Sequence, residues 1–246
     1  MKICLDAGHS GKTNPYLYQG STIGSEAEMA WRLYQKLRAK LELAGFAVIG
    51  TRDRLEEDPN LLIRGRKAEG CDLFLSLHSN AGNPTADYPL ACCPVDGTAD
   101  ALGLHLAQAV AEVMGTDQSA RIWKRDYLTG TGTMLHHRED AAFGVRTAAN
   151  DYYGVLRGAA MVNVPGVLLE CSFHTHPQRV LWLTKEENLD ALAQALCRVL
   201  TDWFGVTVPD WETKYTGLLA AYDKLIDDLK ALLVQQEGAE NDRKTQ

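Results

Sequence analysis

Residues 26–52, EAEMAWRLYQKLRAKLELAGFAVIGTR, decide the fold. Met29, Leu33, Leu37, Leu41 and Ala44 recur at the spacing that lines one face of an α-helix, so Glu26 to Ala44 reads as an amphipathic helix. Gly45 is placed to stop it, because glycine enters the left-handed conformation that ends helices without a steric penalty. Phe46-Ala47-Val48-Ile49-Gly50-Thr51-Arg52 then reads as a strand. Upstream, Lys2-Ile3-Cys4-Leu5-Asp6-Ala7-Gly8-His9 is another strand-like run, which completes a strand-helix-strand unit with an expected right-handed crossover.

Outward from this unit, Asp58-Pro59-Asn60 marks a loop into a helix around Leu61 to Glu69, followed by a strand, Asp72-Leu73-Phe74-Leu75-Ser76-Leu77-His78. A short strand is expected near Leu90 to Cys93, and a helix from about Ala99 to Met114 with Leu102, Leu106, Val110 and Val113 on one face. Gln118 to Ala149 reads as loops and short elements. A strand from Gly166 to Glu170, a loop over 172–178 and a helix from about Lys185 to Phe204 complete the pattern. The fold class expected is α/β, a single domain with a central, mostly parallel sheet flanked by helices, plus a C-terminal helix.

In an open sheet of this kind, ligands bind beyond the carboxyl ends of the strands. Two strand-like runs end in His9 and His78, and a third, Val167-Leu168-Leu169-Glu170, ends in a carboxylate. A divalent metal used for hydrolysis commonly takes three His or carboxylate ligands and leaves one position to water, so these strand ends point to a catalytic metal site. Asp6 is close enough to support an imidazole through its second nitrogen, or else to cap a turn. Glu170 reads as a base or as a buried partner of Arg64 or Arg66.

Composition narrows the class. The chain has 246 residues, 46% of them apolar, and a formal net charge of -7, which argues against nucleic acid or an anionic membrane as partner. The cluster Arg121, Lys124 and Arg125 is too sparse to alter that. No apolar run approaches the roughly 20 residues that span a bilayer. With Lys2 already opening a strand, no secretion signal is expected, so synthesis in the cytoplasm is the expectation. The six cysteines, Cys4, Cys71, Cys92, Cys93, Cys171 and Cys197, read as small buried hydrophobes.

Pro209 marks a boundary between a domain over 1–207 and a helix over 208–238. Trp211, Leu218, Leu225 and Leu232 are spaced by seven, with Tyr215, Tyr222 and Leu229 interleaved, which makes a heptad seam. Leu219, Ile226 and Leu233 broaden it, so self-association as a coiled coil and packing on the domain are both open. Residues 239–246 are expected to be a disordered tail.

DAGHSG at 6–11, Glu26 opening a helix, TRD at 51–53, LIRGRKAE at 62–69, LFLSLHSNA at 73–81 and VPGVLLECSF at 164–173 together resemble the zinc-dependent N-acetylmuramoyl-L-alanine amidases of the amidase-3 type. The resemblance spans roughly residues 1–204 and implies one zinc ion and cleavage of the amide between N-acetylmuramic acid and the L-alanine of the peptidoglycan stem peptide. Carried over residue by residue, it implies His9, Glu26 and His78 as zinc ligands and Glu170 as the catalytic carboxylate. Glu28 competes with Glu26, and counting back from Gly45 favours Glu26. Ser10 departs from the glycine common after the first histidine. His174 and His176 are extra imidazoles near the site, His136-His137 lie in expected mouth loops, and Asn80 and Arg64 either face substrate or fix the ligand loop and the helix, the structural role being favoured for Arg64.

A zinc carboxypeptidase cutting within the stem peptide and a non-catalytic wall-binding module are the alternative readings. The expected partner is peptidoglycan, met after release or non-classical export, as for an endolysin or an autolysin. Copies of the chain joined through the C-terminal helix are a further expected partner.

Overall fold

The computed structural model of the protein describes residues 1–130, 132–135, 150–207, 219, 221–226 and 230. The chain divides into two units, Met1–Thr207 and Val208–Gln246. In order, the first unit contains β1 (Lys2–Ala7), β2 (Pro15–Tyr18), β3 (Ser21–Ser25), α1 (Glu26–Ala44), β4 (Ala47–Gly50), α2 (Leu61–Arg66), β5 (Leu73–Asn80) and β6 (Leu90–Cys92). It continues with α3 (Asp100–Met114), β7 (Arg121–Arg125), β8 (Gly132–Leu135), α4 (Gly154–Ala160), β9 (Gly166–Phe173), α5 (Pro177–Leu183) and α6 (Glu186–Phe204).

The described residues form a seven-stranded sheet in the order β4-β1-β5-β9-β6-β7-β8. The first four strands are parallel, as expected; β6 runs antiparallel to β9, and β8 antiparallel to β7. One face packs Ile3, Leu5, Leu75, Leu77, Val167 and Leu169 against α1, α3 and α6, through residues such as Leu33, Leu37, Leu106, Val110, Leu192 and Leu196. On the other face, Cys4, Phe74 and Leu168 join Val155, Leu156 and Ala159 of α4. Here α2 and α4 touch backbone to backbone: a Cβ on Gly158 would strike the Leu62 carbonyl and come within 2.9 Å of Gly65 Cα.

Because side chains alternate along a strand, this second face changes character toward the carboxyl ends. Cys4 is followed by Asp6, Phe74 by Ser76 and His78, and Leu168 by Glu170. The apolar positions fill the core, while the polar ones form the floor of a crevice.

Several expectations are corrected. Two strands run past their candidate residues, β5 to Asn80 and β9 to Phe173, so the loop expected from 172 begins two residues later, whereas β1 ends at Ala7, short of His9. The short elements expected within Gln118 to Ala149 include β7 and β8, which extend the sheet. Alternation in Arg121-Ile122-Trp123-Lys124-Arg125 is masked by Lys124, a charge that points inward to a buried ion pair with Asp100. The β2–β3 hairpin, α4 and α5 are additional elements. Five cysteines are buried and Cys71 is half-buried, and all six are free, as expected of small core residues.

In the second unit, residues 219, 221–226 and 230 are helical. Most of the heptad seam, including Trp211, Tyr215, Leu218, Leu229, Leu232 and Leu233, lies outside the described residues, as do the 239–246 tail and His136-His137.

Candidate metal centre

Glu26 is the first residue of α1. Ser25 caps the helix, with its hydroxyl taking the Glu28 backbone N–H at 3.2 Å and donating to the Glu28 carboxylate at 2.9 Å. That reciprocal cap occupies Glu28 and turns Glu26 inward, where it is 2% exposed. Its Oε1 accepts the Ser79 backbone N–H at 3.1 Å and lies 2.9 Å from His78 Nδ1 and 3.2 Å from His9 Nε2. Its Oε2 takes the Asn14 side-chain amide at 2.6 Å. Burial would raise the Glu26 pKa, but hydrogen bonds and charge from His78 and His9 outweigh it and hold the carboxylate well below its ordinary range.

His9 sits in the turn after β1 with φ 55°, a left-handed conformation uncommon outside glycine. Gly8 immediately before it must be glycine, because a Cβ there would overlap the His78 ring. The turn is clamped from below: Arg64 donates to the Ala7 carbonyl at 2.9 Å, and Arg52 to the Ala7 and Gly8 carbonyls at 3.1 and 3.3 Å. The two imidazoles meet edge to face, with centroids 4.9 Å apart.

His78 is oriented from its other nitrogen. Its Nε2 lies 3.0 Å from Ser76 Oγ, which donates its proton to Asp6 Oδ2 at 2.6 Å. With that proton committed, the Ser76 oxygen can accept N–H from Nε2, a tautomer that would give an ion the Nδ1 lone pair in place of the Nδ1 hydrogen bond to Glu26. Asp6 is fully buried and bound by both nitrogens of the Arg64 fork at 2.8 and 2.7 Å and by Thr51. It therefore supports an imidazole through Ser76 rather than directly. Arg64 serves Asp6, so the pairing of Glu170 with Arg64 does not occur.

Glu170 faces the same crevice from β9, in register with His78 on β5. Its Oε2 is out of solvent contact and, among the described residues, has no hydrogen-bond partner. Burial first, and then the nearby negative charge of Glu26, push its carboxyl well above the ordinary range. An unpartnered, proton-avid carboxyl beside two imidazoles is poised to take and return a proton.

The cavity over these groups has a volume of about 370 Å³, and its walls include Asn14, Ser79, Asn80 and His174. His174 lies 2.9 Å from the Ser79 hydroxyl and stacks on Tyr16, whose own hydroxyl is 2.7 Å from the same Ser79 oxygen. Burial lowers the His174 pKa, favouring the neutral ring. His176 instead caps α5, accepting the Gln178 N–H at 3.3 Å. Asn14, Ser76, Ser79 and Tyr16 are site residues that the strand-end pattern misses. Only the sequence neighbours of His78 could have hinted at Ser76 and Ser79.

Zinc bound tetrahedrally at 2.0–2.2 Å separates its ligand atoms by about 3.3 Å. The ligand atoms of His9, Glu26 and His78 all lie within 4.8 Å of one another, two of the separations being 2.9 and 3.2 Å, and the donor set is nitrogen and oxygen. These residues fit such an ion.

Residues 3–202 match the protein family described as N-acetylmuramoyl-L-alanine amidase. No curated protein matches the chain by sequence. Among solved structures, the chain is similar to the catalytic domain of the N-acetylmuramoyl-L-alanine amidase CwlV from Bacillus (Paenibacillus) polymyxa var. colistinus. That match has 18% identity and a TM-score of 0.63, covering 84% of this chain and 99% of that one. It is also similar to the amidase AmiC2 of Nostoc punctiforme, at 20% identity and TM-score 0.62 over 83% and 97% of the two chains. An N-acetylmuramoyl-L-alanine amidase from Clostridium difficile 630 gives 18%, 0.61, 83% and 96% respectively.

Proposed function

The chain belongs to the N-acetylmuramoyl-L-alanine amidase family, and from that premise we propose that it hydrolyses the amide between N-acetylmuramic acid and L-alanine in peptidoglycan, using one zinc ion held by His9, Glu26 and His78. The observation that carries this reading is the convergence of those three side chains beside a fourth, Glu170, whose buried oxygen has no other partner.

Bound zinc supplies Lewis acidity, making water a nucleophile near neutral pH and polarising the carbonyl under attack. The protein's own groups do the rest. Ser76 and Asp6 fix the His78 ring, Asn14 and the Ser79 N–H hold the Glu26 carboxylate, and the clamped turn holds His9. Glu170 accepts a proton from the attacking water and returns it to the departing L-alanine nitrogen, which cannot leave as an anion. The unpartnered Glu170 oxygen favours this catalytic reading over a wall-binding module, which has no use for it. The domain proposed to act is residues 1–207, and its place of action is the cell wall.

Turbidity of purified cell walls tests the reading. It should fall with the zinc-loaded protein, stop falling with chelator and resume on adding zinc; walls left intact by fully zinc-loaded protein would contradict it.

A further inference from the structure

We propose that Arg121 binds a carboxylate of the peptide leaving group, on the residue that follows the L-alanine; this rests on the amidase reading above. Four strands lie side by side at the crevice, and their register forms one row: His78 on β5 pairs with Glu170 on β9, Glu170 with Leu90 on β6, and Leu90 with Arg121 on β7. Residues directly paired across neighbouring strands face the same side. Neighbouring strands are about 4.8 Å apart, so the Arg121 backbone lies roughly 10 Å from that of Glu170. Buried Leu90 forms an apolar floor between them. An extended peptide advances about 3.4 Å per residue, so a bond cut at Glu170 brings the next residue over Leu90, within reach of the arginine.

Arg121 is held in position but not neutralised. Its guanidinium stacks on Tyr88, 3.7 Å from the ring centroid, and Tyr88 is braced edge-on by Phe173, just beyond Glu170. Among the described residues the guanidinium makes one hydrogen bond, to the Gln118 side chain at 3.3 Å, and its buried Nε has no partner. Three buried cations are paired, Arg64 with Asp6, Lys124 with Asp100 and Arg179 with Asp87, while buried Arg52 is held by four backbone carbonyls, those of Leu55, Glu57, Ala7 and Gly8. Among the described residues no carboxylate lies within ion-pair distance of Arg121. A fixed guanidinium fork lacking an anion matches the geometry of a carboxylate. On the substrate, the muramoyl side offers neutral hydroxyl and acetamido groups, whereas the peptide side carries carboxylates.

The test uses two muramoyl dipeptides that differ only at the residue after L-alanine, one with a free carboxylate and one with a primary amide, and the zinc-loaded full chain. The wild type should prefer the acid by about tenfold or more in kcat/KM, the scale of a charge-assisted pair. In Arg121→Gln that preference should fall to near one, through a raised KM for the acid with the amide substrate little changed, and Arg121→Lys should keep part of it. Because the ratio is taken on one preparation, loss of folded protein cancels. A wild type without preference, an unchanged ratio in Arg121→Gln, or an equal loss on both substrates in both variants would overturn the inference. A wild type that cleaves neither dipeptide would instead remove the amidase reading, and the inference with it.

Discussion

His78 and Glu170 are register partners on adjacent parallel strands, yet they sit in opposite electrostatic situations. His78 Nδ1 is 2.9 Å from a carboxylate oxygen, whereas Glu170 Oε2 has no hydrogen-bond partner among the described residues. On the proposed reading, the same row of the sheet holds one residue that would bind the cation and one that would exchange a proton. Replacing each should separate the roles. His78→Ala should lose bound zinc, while Glu170→Gln should keep about one zinc per chain and lose turnover by roughly 10²–10⁴-fold, the usual weight of a positioned base. Metal analysis beside initial rates checks both, and zinc loss in Glu170→Gln would make Glu170 a ligand instead.

Gly8 is confined by His78. A methyl group there would overlap the imidazole, so Gly8→Ala should displace the ring and weaken zinc binding while leaving the distant core intact. Zinc titration together with thermal unfolding distinguishes this from general destabilisation, since only the first should change strongly.

The chain from His78 through Ser76 to Asp6 and Arg64 gives two graded outcomes. Ser76→Ala removes the acceptor for His78 Nε2–H and should weaken zinc affinity by roughly 10–100-fold, as loss of a ligand's outer partner commonly does. Arg64→Ala leaves the Asp6 charge buried without its cation and should destabilise the fold by about 3–5 kcal/mol. Competition with a coloured chelator reads the first, and denaturant unfolding the second.

Asp151 makes a separate prediction about pH. It is fully buried, with Oδ1 taking the Tyr153 N–H at 2.9 Å and Oδ2 without a hydrogen-bond partner among the described residues. Burial pushes its carboxyl from an ordinary 3.8 up to about 7, against backbone hydrogen bonds and Arg157, which act the other way. Between those values the folded state keeps a proton that the unfolded state has lost. Its contribution therefore disfavours folding increasingly as pH rises from about 4 to 7 and stays constant above. Asp151→Asn mimics the protonated form and should be more stable than wild type by on the order of 2–4 kcal/mol at pH 8, with little difference at pH 4. Unfolding curves at the two pH values check it; an equal shift at both would contradict it.

What was legible in the sequence follows from which signals are local. Helix α1 could be read from Met29 to Gly45 because its face and stop lie within one stretch, and the parallel strands because they are apolar nearly throughout. The crevice followed from strand ends carrying His9, His78 and Glu170. Glu26 could be assigned over Glu28 only by helix phase and resemblance, since the reciprocal cap that occupies Glu28 depends on a serine hydroxyl whose direction is a tertiary fact. β7 was hidden because Lys124 is buried by virtue of Asp100, far away in sequence, which breaks the simple alternation of polar and apolar residues. Asn14 and Tyr16 reach the site on a short hairpin with no hydrophobic period to announce it. The row from His78 to Arg121 is invisible without register, because it joins four strands in an order unlike that of the chain.

The central claim is that one particular amide bond is cut by a zinc site that needs Glu170. Mass spectrometry of peptidoglycan digested by the zinc-loaded protein tests it most directly. The account predicts products with a free lactyl carboxylate on muramic acid and a new L-alanine amino terminus, and almost none from Glu170→Ala carrying the same zinc. Cleavage within the stem peptide, or the same products from Glu170→Ala at the wild-type rate, would contradict it.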